Sequence, residues 1–311
     1  MYVIMYHFVR CIANSKYPNI KGLEILDFKK QIEWFISKGF KFITLDDVIA
    51  KKNITSKSIL LTFDDGYRDH YENVYPLLCQ YGIKGVFSVP GRAIRENIIL
   101  DVNKIHFILA VANIKALMQK LFDKMDYYRG EEFVYASNEE LYNNIKVINR
   151  FDEKDTAFIK RMLQVELPFR VRTRIVDELF CEMVTDNQEE FAKYLYMNMD
   201  EIEEMKRNGM EFAIHGYDHC WLNRMTDKEL VEDLEQALDV FDGIINSDKW
   251  CICYPYGAYS DSVIQISRKM GAILGLGTEV RAYHSSDNMF KIPRTDTNDF
   301  PPKSYNYKKI V

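Results

Sequence analysis

The chain has 311 residues, of which 47% are hydrophobic and 28% charged, and its formal net charge is −5. This composition predicts a folded protein with a substantial core and excludes a disordered chain. The negative balance argues against a nucleic-acid-binding surface, and the lack of any run of 18 or more apolar residues argues against a membrane span. The start of the sequence has no features of an export signal, so we expect a cytoplasmic protein with reduced cysteines.

Strands and helices alternate along the first ninety residues. Short apolar runs at 2–6, 41–45, 58–63 and 84–90 predict strands, and helical patterns at 26–40, 46–52 and 69–82 lie between them. Alternation over short loops is typical of a parallel sheet wrapped by helices.

The pattern becomes helical from about residue 93 to residue 196. Apolar residues recur at helical spacing over 105–125, which predicts one long helix there. We therefore expect a mainly helical insert at 93–196 in a domain formed by 1–92 and 197–311. The insert is expected to overlie the substrate groove, where it limits substrate size or supports a homo-oligomer.

Alternation returns after residue 197. Helices are predicted at 198–209, 226–245 and 260–271, and strands at 210–215, 249–255 and 272–277. The sheet is therefore split in sequence, with the insert between its two halves.

Three short motifs follow predicted strands. They are "FDDG" at 63–66, "HGYDH" at 215–219 and "YPYG" at 254–257. The carboxyl ends of parallel strands meet at one edge, where active sites of such folds are built. We expect the three motifs to lie together.

His215 and His219 are four residues apart, so both imidazoles can face one point. A carboxylate from another strand end would complete a two-histidine, one-carboxylate set, which is a catalytic zinc pattern. Taken alone, such a pair is more often two surface or core histidines, but its position beside "FDDG" favours the metal site.

Asp64 and Asp65 are adjacent, although like charges repel. In extended backbone their side chains point to opposite faces, so one can ligate a cation while the other acts as a base. The alternative is an Asp-Asp-Gly turn in which Gly66 adopts a positive φ.

The "YPYG" segment contains a proline that fixes φ and a glycine that permits a sharp turn. Backbone N–H groups of such a turn can stabilise a developing oxyanion. The alternative is a plain β-turn.

These motifs, in this order, resemble those of the polysaccharide deacetylase family, which has the NodB homology domain and is carbohydrate esterase family 4. "MYHFV", "GFKFITLDDV" and "MKRNGMEFAIHGYDH" extend the likeness over residues 1–92 and 197–300. The resemblance implies an α/β fold, a distorted (β/α) barrel. It also implies a metal-dependent hydrolase that removes an N-acetyl group from a sugar or glycan precursor in surface polysaccharide biosynthesis.

The resemblance assigns roles residue by residue. Asp64 is expected to be the base that takes a proton from metal-bound water, and the Tyr256 N–H is expected to bind the oxyanion. The expected ligands of Zn²⁺, or of another divalent transition metal, are Asp65, His215 and His219. The residues expected to line the substrate site are His7, Tyr67, Pro255 and His284.

The sequence departs from the family pattern in three places. Gly216 stands where Ser or Thr is usual, so a hydrogen bond that stabilises the loop is expected to be lost. The arginine that usually precedes the third motif is missing, and Arg294 is a candidate to hold Asp64 ionised; the alternative partners of Arg294 are Asp296 and Asp299.

The late Leu-x-His motif, which supplies the general acid, is also missing. His7 and His284 are the candidate substitutes, whereas His70 and His106 fall within helical patterns and are expected to be structural.

Three functional hypotheses stay open. The first is deacetylation of an N-acetylated sugar, a nucleotide sugar or a glycan. The second is the same chemistry on a cyclic imide or an O-acetyl ester. The third is a non-catalytic carbohydrate-binding protein on the same barrel, which the missing acid favours and the intact aspartates and histidines oppose.

Overall fold

The structure is a computed structural model that describes residues 1–52, 54–145 and 152–310. Contacts divide the chain into two compact units. One comprises 1–11, 22–98 and 192–311, and the other comprises 12–21 and 99–191. The second unit thus includes residues 12–21, which the predicted insert at 93–196 does not.

The first unit contains a parallel sheet of eight strands in the order β7-β6-β5-β4-β3-β1-β8, with β2 also paired to β3. The strands are β1 (Tyr2–Tyr6), β2 (Lys41–Phe42), β3 (Ser58–Asp64), β4 (Val86–Val89), β5 (Glu211–Ile214), β6 (Trp250–Cys253), β7 (Ala272–Leu276) and β8 (Thr295–Asp296). All seven residues of β3 are buried, because a central strand of a parallel sheet is covered on both faces.

The segment before β8 connects the two ends of the sheet. Ile292 forms a parallel bridge with Leu276 at the end of β7, and three residues later Thr295 pairs with Ile4 of β1. The prediction of a distorted (β/α) barrel is confirmed, and β8 is a strand that the sequence patterns did not reveal.

Thirteen α-helices lie among the described residues. They are α1 (Ile25–Ser37), α2 (Leu45–Ile49), α3 (Tyr75–Tyr81), α4 (Gly91–Glu96), α5 (Asp101–Val111), α6 (Ile114–Tyr128), α7 (Asn138–Asn144), α8 (Lys154–Arg161), α9 (Phe169–Met183), α10 (Gln188–Leu195), α11 (Met199–Arg207), α12 (Asp227–Val240) and α13 (Asp261–Lys269). None of them is both long and apolar enough to cross a membrane.

Two segments illustrate how the sequence determines these elements. The stripe of Phe28, Ile32 and Phe35 on α1 is fully buried, as an amphipathic pattern requires. The single helix predicted over 105–125 is wrong: α5 ends at Val111, and α6 begins after Asn113, whose side chain accepts from the N–H groups of Lys115 and Ala116. Asparagine is a strong N-cap residue, so the break was readable in the sequence.

Candidate active site

The three motifs meet at the carboxyl edge of the sheet, as predicted. Asp64 is the last residue of β3, and Asp65 then turns the chain with φ 77°, followed by Gly66 with φ 67°. The expectation of extended backbone across both aspartates is therefore wrong, because a left-handed turn separates their side chains. A Cβ on Gly66 would lie 2.6 Å from Val89 Cγ1, so this turn requires glycine.

Backbone strain is concentrated at this edge. Among the described residues, five that are not glycine have a positive φ, and three of them are Asp65, His219 and Tyr256. Such conformations cost about 1–3 kcal/mol each and persist where the surroundings enforce them, often at functional sites.

Asp65, His215 and His219 form a buried cluster. Oδ1 of Asp65 lies 3.4 Å from Nε2 of His215 and 3.2 Å from Nε2 of His219, and one ligand atom from each residue lies within 4.8 Å of the others. Oδ1 of Asp65 is buried and has no hydrogen-bond partner among the described residues. An unsatisfied buried carboxylate oxygen is costly, so these three residues fit a bound divalent metal.

Hydrogen bonds around the cluster orient its members. Nδ1 of His215 donates to the carbonyl oxygen of Cys253 at 2.7 Å, and because a carbonyl only accepts, the lone pair of neutral His215 lies on Nε2, facing Asp65. The hydroxyl of Tyr67 donates to Oδ2 of Asp65 at 2.5 Å, which leaves Oδ1 for a cation. One carboxylate and two imidazoles in this orientation can hold a divalent metal ion.

A second set of potential ligands overlaps the first. Ligand atoms of Asp64, His215 and Cys253 also lie within 4.8 Å of one another. In this set, however, the carboxylate of Asp64 already pairs with a cationic side chain, described next. Repulsion from that cation makes the Asp65 set the better metal site.

Arg294 lies beside Asp64, not beside Asp296 or Asp299. Its Nη1 donates to Asp64 at 2.8 Å and to Oγ1 of Thr62 at 3.2 Å, and its Nε donates to the carbonyl of Gly277 at 2.7 Å. In the metal-free protein, burial alone would raise the pKa of Asp64, but the Arg294 guanidinium, together with His215 and His7 in their protonated forms, outweighs burial and holds that pKa well below its usual value. Asp64 is therefore ionised at neutral pH.

His7 follows β1 at the same edge and is half-buried. It lies close enough that the protonated form of its ring would help lower the pKa of both Asp64 and Asp65, against the effect of their burial. Its carbonyl accepts from Nε2 of the fully buried His70 at 2.9 Å, which gives His70 the structural role expected of it. His106 lies on α5, in the helical unit.

Tyr256 contacts the histidine loop through its ring. The ring lies edge-on to that of His219, with centroids 4.9 Å apart, and stacks on Trp221 at 4.8 Å. Pro255 is buried and lies near Gly216. The proposed contacts of the Tyr256 N–H with an oxyanion and of Pro255 with substrate stay predictions.

The structure corrects two of the expected substrate-binding residues. Tyr67 is fully buried, and its hydroxyl is directed to Asp65 rather than to a substrate. His284 follows Tyr283, whose backbone pairs with Met1, so His284 lies at the amino end of β1. Five residues of strand, about 16 Å, separate that end from the site, and this distance removes His284 as the general acid.

Three residues at the site were not predicted from the sequence. Cys253, expected to be an ordinary buried thiol, has its Sγ 3.4 Å from Oδ1 of Asp64. Trp221 stacks on Tyr256, and Asp233 on α12 accepts from the histidine loop. Cys253 ends the strand before "YPYG", so its position along β6 was the one available signal; the other two depend on how loops and helices pack.

Comparison with known proteins supports the motif-based interpretation. The family described as polysaccharide deacetylase matches residues 51–126 and 179–274. YxkH of Bacillus subtilis (strain 168), whose assignment as a polysaccharide deacetylase is provisional, is 18% identical over 94% of this chain and 69% of its own length. The poly-beta-1,6-N-acetyl-D-glucosamine N-deacetylase of Staphylococcus aureus is 30% identical over 29% of this chain and 33% of its own length.

The solved structure of the Streptococcus pyogenes deacetylase PplD, determined with acetate, has the same fold. It superposes with a TM-score of 0.61 over 99% of this chain and 96% of PplD, at 16% sequence identity. The predicted class, a hydrolase that deacetylates carbohydrates, is confirmed for the family, whose profile covers more than half of the sequence. Together with the geometry of its strand-end motifs, this match places the chain in the polysaccharide deacetylase family.

Proposed function

We propose that this chain is a metal-dependent N-deacetylase that hydrolyses the acetamide of an N-acetylated sugar in a surface polysaccharide or its precursor. One observation carries the proposal: a buried Asp65–His215–His219 cluster lies beside an Asp64 carboxylate that Arg294 keeps ionised. A non-catalytic binding protein has no need of a base held in this way.

The metal would be held by Asp65, His215 and His219. When bound, a divalent metal such as zinc acts as a Lewis acid and lowers the pKa of water toward about 7. The buried unpaired oxygen of Asp65 and the orientation of His215 support this assignment. Which metal is physiological stays a prediction, with zinc preferred for its nitrogen and oxygen ligands.

The other residues move protons and stabilise charge. Ionised Asp64 accepts a proton from the attacking water as the water oxygen bonds to the acetamide carbon. The oxyanion formed there is stabilised by the Tyr256 N–H. His7 gives a proton to the nitrogen as the C–N bond breaks, which releases acetate and the free amine.

His7 is the best candidate for the acid on position. It follows β1, the neighbour of β3 in the sheet, and its charge acts on both aspartates. It is only half-buried, so substrate can reach it. Arg294 is a positioning residue, since its guanidinium contacts the base and is itself buried.

A carbohydrate substrate is supported by the aromatic surface beside the metal ligands. The stacked rings of Trp221 and Tyr256 offer a flat, partly exposed apolar face next to His219. The name of the Staphylococcus aureus relative suggests poly-β-1,6-N-acetylglucosamine as a first substrate to test. Nucleotide sugars, a cytoplasmic location and a homo-oligomer through the helical unit stay predictions.

The decisive experiment combines metal analysis with an acetate-release assay. The purified protein would be tested for zinc content and for activity on β-1,6- and β-1,4-linked N-acetylglucosamine oligomers, a nucleotide sugar and an O-acetyl ester. We expect one bound zinc per chain and acetate from at least one N-acetylated sugar. Zinc binding without acetate from any substrate would support the binding protein, and no zinc binding at all would remove the metal site.

The Asp64→Asn variant tests the base directly. Asparagine keeps the size of the side chain but cannot accept the proton, so we expect kcat to fall by about 10²–10⁴-fold, the range for a general base. Zinc content should not change, because Asp64 is not among the proposed ligands. Retained turnover would remove Asp64 as the base.

A further inference from the structure

The loop that carries both histidine ligands is strained and needs support. It leaves β5 after Ile214 and contains two left-handed residues, Gly216 with φ 69° and His219 with φ 53°. Since residues other than glycine adopt a positive φ only uncommonly, contacts from elsewhere must help to hold His219 in it. Gly216 has no side chain that could brace the loop from within.

Support comes from one carboxylate on α12. Oδ2 of Asp233 accepts from the N–H of Tyr217 at 2.9 Å, and Oδ1 accepts from the N–H of Asp218 at 3.1 Å. Both N–H groups lie between His215 and His219 in the chain. Hydrogen bonds to an ionised carboxylate are roughly twice as strong as those between neutral groups.

The carboxylate occupies the space that a side chain at position 216 would need. A Cβ on Gly216 would lie 3.1 Å from Oδ2 of Asp233, a tighter contact than most, so the carboxylate would have to shift away from its present position. Because residue 216 is glycine, the loop has no stabilising side chain at that position, and the carboxylate of Asp233 can approach it instead. Asp233 is only 5% exposed, so water does not compete strongly for its oxygens.

We propose that Asp233 is a positioning residue for the metal site, which fixes the 215–219 loop so that both histidines face Asp65. This inference rests on the metal site proposed above. Asp233 is not itself a ligand, because each of its oxygens already accepts a backbone N–H. It replaces the hydrogen bond that the sequence suggested was lost at Gly216.

The test measures zinc affinity in Asp233→Asn by competition with a chromophoric chelator at pH 7.5. The amide oxygen of asparagine can accept from one of the two backbone N–H groups, but its NH₂ group would face the other N–H, and two donors cannot form a hydrogen bond. We expect zinc to bind 10–100-fold more weakly, the range for residues that orient metal ligands. Asp233→Glu keeps both acceptors at a longer reach and should lie between Asn and wild type, which keeps the test valid if the Asn variant folds poorly.

Glu229→Gln is the matched control on the same helix. It also removes one negative charge, and it weakens the cap at Thr226, but it does not contact the histidine loop. It should destabilise α12 in urea and leave zinc affinity unchanged. Equal zinc affinity in Asp233→Asn and wild type, or an equal loss in the control, would overturn the proposal while the metal site itself stands. Failure of wild type to bind zinc would overturn both.

Discussion

Two buried arginine–aspartate pairs lie in the first unit, and they hold their carboxylates in opposite ways. Arg294 and Asp64 are 1% and 2% exposed, and Arg10 and Asp69 are 6% and 5% exposed. Arg10 makes two side-chain bonds to Asp69, at 2.6 and 2.7 Å, whereas Nη1 alone of Arg294 contacts Asp64, at 2.8 Å. By geometry alone, Asp69 is the better paired of the two.

The pKa values have the reverse order. Burial raises the pKa of Asp69 above its usual value, Arg10 offsets this only in part, and nearby Glu72 raises it further. Burial also raises the pKa of Asp64, but Arg294, His215 and His7 together bring it well below the usual value. The two pairs therefore differ in the charges around them: the protonated histidines add to the effect of Arg294 at Asp64, whereas Glu72 opposes that of Arg10 at Asp69. Asp64 is the proposed base and lies beside the candidate metal ligands, whereas Asp69 pairs with Arg10.

Replacing each arginine in turn should give the largest difference between the two arginine–aspartate pairs. Arg294→Met leaves Asp64 buried and unpaired, which should cost about 3–5 kcal/mol of unfolding free energy and raise the pKa of the base. We expect kcat to fall by about 10²-fold, the lower end of the range for a general base. Urea unfolding and the acetate-release assay measure the two effects.

Arg10→Met is the matched control. It breaks a pair of similar burial, so it should destabilise the fold by a similar amount and leave kcat within about threefold of wild type. An equal loss of kcat in both variants would mean that the two pairs act on catalysis alike, and the distinction between them would fail.

The pH dependence of stability gives a second, smaller contrast. The pKa of Asp64 is lower in the folded state, so its contribution is fully present above its unfolded pKa of about 4 and is lost only as the pH falls toward the folded value. The difference in unfolding free energy between metal-free wild type and Asp64→Asn should therefore be flat from pH 7 to about pH 4 and decrease below it.

Asp69 should behave in the opposite sense. Its folded pKa is raised, so its ionised form opposes folding above that pKa, and this cost disappears as the pH falls toward about 4. Wild type should gain stability relative to Asp69→Asn over that range, with a slope of at most about 1.4 kcal/mol per pH unit. Parallel profiles for the two variants would contradict the assignment of opposite pKa shifts.

Part of the candidate site could be predicted from the sequence. Asp64, Asp65, His215 and His219 were expected to lie together because each stands at or just after the end of a strand, and parallel strands bring their carboxyl ends to one edge; the structure does bring them together. The family resemblance then separated the roles of the two aspartates. These predictions rest on short-range patterns and on a topology with few alternatives.

Other site residues depend on packing that no local pattern contains. The partner of Arg294 was undecided in the sequence because the path from β7 to β8 fixes it, and His284 was misplaced for the same reason. Asp233 looks like any other charged residue of an amphipathic helix until its helix is placed against the histidine loop. The break at Asn113 is different, since its capping residue was present in the sequence and was missed.

The smallest expected effect concerns Tyr67, which contacts both the candidate metal site and the surroundings of the Arg10–Asp69 pair. Its hydroxyl donates to Asp65. Its ring stacks on that of Phe8, with the ring centroids 3.9 Å apart, and the Arg10 guanidinium lies over the Phe8 ring. Tyr67→Phe keeps the stack and leaves Oδ2 of Asp65 buried without this donor. We expect about tenfold weaker zinc binding and about 1 kcal/mol less stability, measured by chelator competition and urea unfolding.

Tyr71→Phe provides the control, because the Tyr71 hydroxyl donates to Glu204 at 2.8 Å, away from the metal ligands. It removes the same atom from the same residue type in the same unit, and it should leave zinc affinity unchanged. Equal zinc affinities for the two variants would show that the Tyr67 hydroxyl does not orient Asp65. A loss confined to Tyr67→Phe would show that the Tyr67 hydroxyl supports Asp65 as a metal ligand.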